Sequence, residues 1–167
     1  MSARYDAVVV GCGGVGSAAL ASLARAGARV AGIEQFSPGH DRGSSHGETR
    51  IIRLSYFEHP AYVPLLRRAY DLWAELEQRS GEELYLETGL LQVGPADGVV
   101  VPGVLRSAAE HGLEVEELDS AGVRRRFPGF VTGADHRAVF EARAGVLRVE
   151  ACVLAQLAEA RAHGAEL

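Results

Sequence analysis

The stretch from Tyr5 to Glu34 constrains this chain more than any other. An apolar run, Asp6-Ala7-Val8-Val9-Val10, leads into Gly11-Cys12-Gly13-Gly14-Val15-Gly16 and then into a small-residue segment reaching Ala26. A second apolar run, Arg29–Ile33, ends on Glu34. This pattern predicts strand, glycine turn, helix and strand, a βαβ unit. Gly11 permits a tight turn, Gly13 lets the backbone approach a pyrophosphate, and Gly16 lets the helix pack closely. The unpaired N–H groups and positive end of the helix, beginning at Gly14 and Val15, would then face phosphates. Glu34, with Gln35 beside it, follows Gly16 by 18 residues, where a carboxylate can accept hydrogen bonds from ribose hydroxyls. A glycine turn alone is weak evidence. The preceding strand, the Ala/Leu helix and the closing acid together point to a dinucleotide site, and these residues fit FAD or NAD equally.

The net charge of -5 argues against a nucleic-acid partner, which calls for a clustered cationic face. No apolar run approaches the roughly 20 residues of a membrane span, and no signal peptide precedes the first strand. Two cysteines, Cys12 and Cys152, suggest no disulfide framework, so a reducing, cytoplasmic setting is expected.

After Glu34 comes a polar, turn-rich segment from Ser37 to Gly47, too poor in apolar residues for a core and best read as a ligand-facing loop. Ile51, Ile52 and Leu54 anchor its far end. An amphipathic helix follows, with Tyr62, Leu65, Leu66, Ala69, Tyr70, Leu72, Trp73 and Leu76 as a buried stripe. From Glu87 the pattern changes. A strand over 88–95, a helix from about Val104 to His111, a strand near 113–118 and a helix capped by Asp119 or Ser120 precede strands at 138–141 and 145–147. Arg124-Arg125-Arg126 read as a solvated helix face. The last helix, Val149 to His163, carries Val153, Leu154 and Leu157 on its buried side. The chain then stops as a new strand begins, which suggests truncation.

At Gly43-Ser44-Ser45-His46-Gly47-Glu48-Thr49-Arg50-Ile51-Ile52-Arg53, with the glycine turn before it and Tyr62-Val63-Pro64-Leu65 after, the sequence resembles the monomeric sarcosine oxidase family. N-methyltryptophan and pipecolate oxidases belong to the same group, within the D-amino-acid-oxidase-like flavoproteins. The resemblance continues through Thr88-Gly89-Leu90-Leu91 and Gly145-Val146-Leu147. It implies FAD as cofactor, a secondary amine or N-methyl amino acid as substrate, an imine as product, and oxygen reduced to hydrogen peroxide. It further implies that Gly11, Gly13 and Gly16 cradle the pyrophosphate and that Glu34 holds the ribose. Ser44 and Ser45 would lie along the cofactor, His46 and Arg50 against the flavin ring, and Arg53 on the substrate carboxylate. From residue chemistry alone, Arg50 and Arg53 read first as surface arginines and His46 as a loop histidine. His40, Asp41 and His46 lack metal-ligand spacing. The family's flavin-linking cysteine and its two functional lysines find no counterpart before Leu167.

The expected fold class is α/β: a Rossmann-like FAD-binding βαβ domain interrupted by part of a mixed α+β substrate domain. The expected boundaries are 1–86 and 147–167 for the FAD-binding domain and 87–146 for the substrate domain. The absent C-terminal portion of the same protein would be the missing partner, and the chain alone would be inactive. Two alternatives remain open on sequence: a non-catalytic dinucleotide-binding remnant, and an NAD-dependent dehydrogenase.

Overall fold

A computed structural model describes residues 4–167. The chain divides into two compact units. The first contains the residues up to Arg50, Trp73–Tyr85 and Leu147–Leu167; the second contains Ile51–Leu72 and Leu86–Val146.

In the first unit, β1 (Ala7–Val10) pairs in parallel with β2 (Val30–Ile33), from Ala7↔Val30 to Val10↔Ile33. Parallel neighbours need a crossover, and α1 (Gly14–Arg25) supplies it. Its buried Ser17, Leu20, Ala21 and Ala24 recur at three- and four-residue spacing, so one face of small and apolar side chains meets the sheet. The last helix, α5 (Val149–Ala162), packs Val153, Leu157 and Ala160 into the same core as Leu20, Ala24 and Val30. Beyond it the chain returns as an extended segment. The Glu166 N–H donates to the Val30 carbonyl at 3.1 Å, and the Gly32 N–H donates to Glu166 at 2.8 Å. That bridge is parallel, as expected for a third strand on the free side of β2. A smaller core joins Leu76, Leu84, Cys152 and Ala155.

Helix α2 (Val63–Ser80) follows a 3-10 turn at Pro60–Tyr62 whose first N–H is capped by the His59 ring. It begins in the second unit and ends in the first. Strands β3 (Arg50–Ile52), β4 (Tyr85–Glu87) and β8 (Gly145–Leu147) form a short sheet in the order β3-β8-β4.

The second unit is built on an antiparallel sheet in the order β5-β7-β6, with β5 (Leu90–Pro95), β6 (Glu116–Asp119) and β7 (His136–Glu141). Leu90 faces Glu141 and Pro95 faces His136 in one ladder; Glu116 faces Phe140 in the other. Helix α3 (Val100–His111) buries Val101 and Val104 against Val139 and Phe57. Helix α4 (Ser120–Arg126) is capped by Asp119, which accepts the Gly122 N–H at 2.6 Å.

Several expectations change. Residues 51–72 cluster with the second unit, where Ser107 donates to the Tyr56 carbonyl at 2.5 Å and the Tyr70 hydroxyl donates to the Arg143 carbonyl at 3.0 Å. Helix α3 starts at Val100 rather than Val104, since Pro102 in the first turn needs no N–H partner. Strand β4 adds to the expected elements, and β5 begins at Leu90 rather than Thr88. Leu154, expected to be buried, is about half exposed, as is Tyr62 of the expected core stripe, and Leu65 of that stripe is about two-thirds exposed. Only part of the arginine run is simply solvated: Arg126 pairs with Glu116 and lies 4.5 Å from the Phe140 ring centroid.

Candidate functional site

The glycine turn, the tip of β2 and the loop after it enclose a cavity of about 560 Å³ in the first unit. Gly11, Gly13, Gly14, Val15, Gly16, Glu34, Gln35, Ser44 and Ser45 all line it. The turn is shaped by two glycines. Gly11 has φ +85°, a backbone conformation L side chains rarely adopt, and its N–H donates to the Ile33 carbonyl at 2.8 Å. A Cβ on Gly16 would stand 1.8 Å from the Gly11 carbonyl oxygen, so α1 can begin this close to the strand only with glycine there. The close neighbour is thus the turn's own carbonyl rather than the body of the sheet.

Glu34 is the hub of the site. Its Oε2 accepts the Cys12 N–H at 2.9 Å; its Oε1 accepts the N–H groups of Gln35 at 2.8 Å and Phe36 at 3.3 Å. His40 Nε2 lies 3.3 Å from Oε1. Foremost the Cys12 N–H, then Phe36, His40 and Gln35, hold this carboxyl below its ordinary range against the opposing effect of desolvation. Ser45 makes a second clasp, its Oγ accepting the Gly14 N–H at the start of α1 at 2.9 Å. The first N–H groups of a helix have no intrahelical acceptor, so this end of α1 offers donors and positive potential to an anion.

The other expected residues lie elsewhere. His46 is half-buried in the loop but does not line the cavity. Arg50 donates to the carbonyls of Thr49, at 2.8 Å, and Ser44, and it borders a smaller cavity of about 230 Å³ with Gly14, Ser45 and Trp73. Arg53 belongs to the second unit. It pairs with Glu58 at 2.9 Å, lies 4.3 Å from the Tyr56 ring centroid, and keeps a buried Nε–H with no hydrogen-bond partner.

Sequence reasoning missed Phe36, His40 and Arg42 as lining residues. The turn signal Pro38-Gly39 could have shown that the chain folds back here on Glu34. A cavity of similar size between the end of α2 and α5 is mostly apolar, and its half-buried Glu159 is already paired with Arg25 and Arg79. Among the described residues no cluster of three or more His, Cys, Asp or Glu could hold a metal, and no helix is long and apolar enough to cross a membrane.

Residues 6–167 match the family model described as FAD dependent oxidoreductase. The chain belongs to this family. It is 50% identical over its whole length to monomeric sarcosine oxidase from Streptomyces avermitilis and spans 44% of that protein. It is 42% identical over 149 residues, 89% of this chain and 40% of the relative, to N-methyl-L-tryptophan oxidase from Yersinia pestis. The solved structure of NikD, an unusual amino acid oxidase essential for nikkomycin biosynthesis, superposes with a TM-score of 0.86 at 30% identity. The match covers 99% of this chain and 43% of NikD. The chain therefore spans less than half the length of these relatives. The family match also decides the cofactor class, which the glycine turn leaves open between FAD and NAD.

Proposed function

We propose that this chain supplies the FAD-binding unit of an amine oxidase acting on a secondary or N-methyl amino acid. The observation that carries the reading is the glycine turn with Glu34 bonded back onto Cys12, closing a cavity within the volume range of ligand sites. The residues fit the cofactor. N–H groups at Gly13, Val15 and Gly16 suit a pyrophosphate, with the Gly14 N–H held by Ser45, and Glu34 beside Gln35 suits the adenosine ribose. Ser44, Ser45, His46 and Arg50 would lie along the remainder of the cofactor, where a fixed cation favours an anionic reduced flavin. In the second unit, which would be the substrate domain, the Arg53 guanidinium suits a substrate carboxylate through charge-assisted hydrogen bonds.

When bound, FAD supplies the redox chemistry. The substrate's CH–NH group loses two electrons and two protons and becomes an imine, and oxygen takes up both as hydrogen peroxide. The names of the 50% and 42% identical relatives support the amine class. Because the chain spans 44% of the Streptomyces avermitilis sarcosine oxidase, we expect the 167 residues alone to hold flavin without turnover. A cytoplasmic setting, reducing enough to keep both thiols free, belongs to the same proposal.

An absorbance spectrum of the purified chain from about 300 to 550 nm, before and after acid precipitation, tests this reading. Flavin bands that pass into the supernatant support it. A colourless protein that retains a nicotinamide cofactor would overturn it in favour of a dehydrogenase.

A further inference from the structure

We propose that His40 is a positioning residue for Glu34, fixing which carboxylate oxygen is turned toward the ribose hydroxyls of a bound dinucleotide. The inference rests on the dinucleotide reading above and goes beyond it in assigning a role to His40.

Three observations carry it. First, the Arg42 N–H donates to His40 Nδ1 at 3.0 Å, so the single proton of the neutral ring sits on Nε2. That nitrogen is the one lying 3.3 Å from Glu34 Oε1. Second, the ring is held on another side: Phe36 stacks edge-on at 5.0 Å between centroids, with the Arg42 guanidinium 5.4 Å from the Phe36 ring centroid. Third, the two carboxylate oxygens are unequally used. Oε1 faces three donors, from Gln35, Phe36 and His40, whereas Oε2 holds only the Cys12 N–H. A carboxylate oxygen accommodates about two strong donors, so Oε1 is saturated and Oε2 retains capacity for a hydroxyl. Without His40, Oε1 loses its side-chain donor, and only the Gln35, Phe36 and Cys12 N–H groups hold the carboxylate. A simpler role, in which His40 only staples the loop 37–45 to the strand tip, would weaken every ligand of the cavity alike.

The test measures binding of ADP and of 2′,3′-dideoxy-ADP, which lacks the ribose hydroxyls, by calorimetry, with thermal melting to confirm folding. His40→Ala is expected to weaken ADP about five- to tenfold, the worth of one ordinary hydrogen bond, and to leave the dideoxy ligand unchanged. His40→Gln, whose amide nitrogen reaches the place of Nε2, is expected to restore most of the ADP affinity. In a Glu34→Gln background the His40→Ala effect should shrink, as coupled neighbours require. Equal losses for both ligands, no loss at all, or His40→Gln as weak as His40→Ala would each overturn the role. A wild-type chain that holds neither FAD nor ADP would overturn the dinucleotide reading and this inference with it.

Discussion

Glu141 accepts the backbone N–H groups of Leu54 and Ser55 at 2.8 and 2.9 Å, and the Ser55 hydroxyl donates to it as well. Gln92 completes the network, its amide donating to Ser55 Oγ at 3.2 Å. The carboxylate is buried, so each of these donors is matched where water cannot replace it. This side chain at the end of β7 holds the segment leaving β3, adding to the Ser107–Tyr56 and Tyr70–Arg143 bonds that join residues 51–72 to 86–146.

Glu141→Ala strands two buried N–H groups and a hydroxyl. We expect a loss of about 3 kcal/mol in stability, read from urea unfolding. Exposed Glu117, on neighbouring β6, is the control, and its replacement by Ala should stay within about 0.5 kcal/mol. Equal effects at the two positions would mean that the Glu141 network adds nothing.

Gly16→Ala tests the turn. The new Cβ would sit 1.8 Å from a backbone carbonyl oxygen, which no side-chain rotation relieves. Overpacking of this kind costs about 1–3 kcal/mol, and the shifted turn should weaken flavin binding at least about tenfold. Gly129→Ala, with no heavy atom within 4 Å of its new Cβ, should change neither quantity. Unaltered flavin binding in Gly16→Ala, measured by fluorescence titration, would separate the turn from the cofactor.

What could be read from sequence was what lies close in the chain. Gly11, Gly16 and Glu34 are local punctuation around two short apolar strands, and their spacing alone implies β1, α1 and β2. The closing segment after Gly164 was legible for the same reason, as a helix end followed by a strand start, and Glu166 does bridge Ala31. The links inside the site, and those inside the second unit, are different. Ser45 meets Gly14 across 31 residues and Glu141 meets Ser55 across 86, and neither pair leaves a periodic or turn signal. His40 was hidden for another reason. A histidine in a polar loop gives no sign of its partner until the turn geometry brings it back to Glu34. The exposed Tyr62 and Leu65 show the limit of periodicity, which finds an apolar stripe but not what covers it.

Glu34 sets an acid limb. Its folded carboxyl lies below the ordinary value of 4.5, held down first by the Cys12 N–H. A group depressed in the folded state stabilises above its unfolded value, and that contribution is lost as pH falls below 4.5 through the folded value. Urea midpoints followed between about pH 6 and pH 3 should therefore fall more steeply for wild type than for Glu34→Gln. Parallel curves would show that the carboxylate is not bonded as described.

The two thiols give the opposite sign. Burial, with Glu77 adding to it, pushes Cys152 up to about 12, and burial beside Glu34 raises Cys12 above its ordinary value of 9.0. For Cys152 at about pH 8 the thiolate fraction is on the order of one in ten thousand, and both sulfurs are buried. An aromatic disulfide reagent should therefore find no thiol in the native chain and two in guanidinium. The same burial makes the native state lose stability as pH rises from the ordinary value toward 12, because the unfolded thiol ionises first. Cys152→Ser should flatten that alkaline limb. Rapid labelling of one thiol under native conditions would instead mean that α5 opens locally from the core it shares with Leu76 and Leu84.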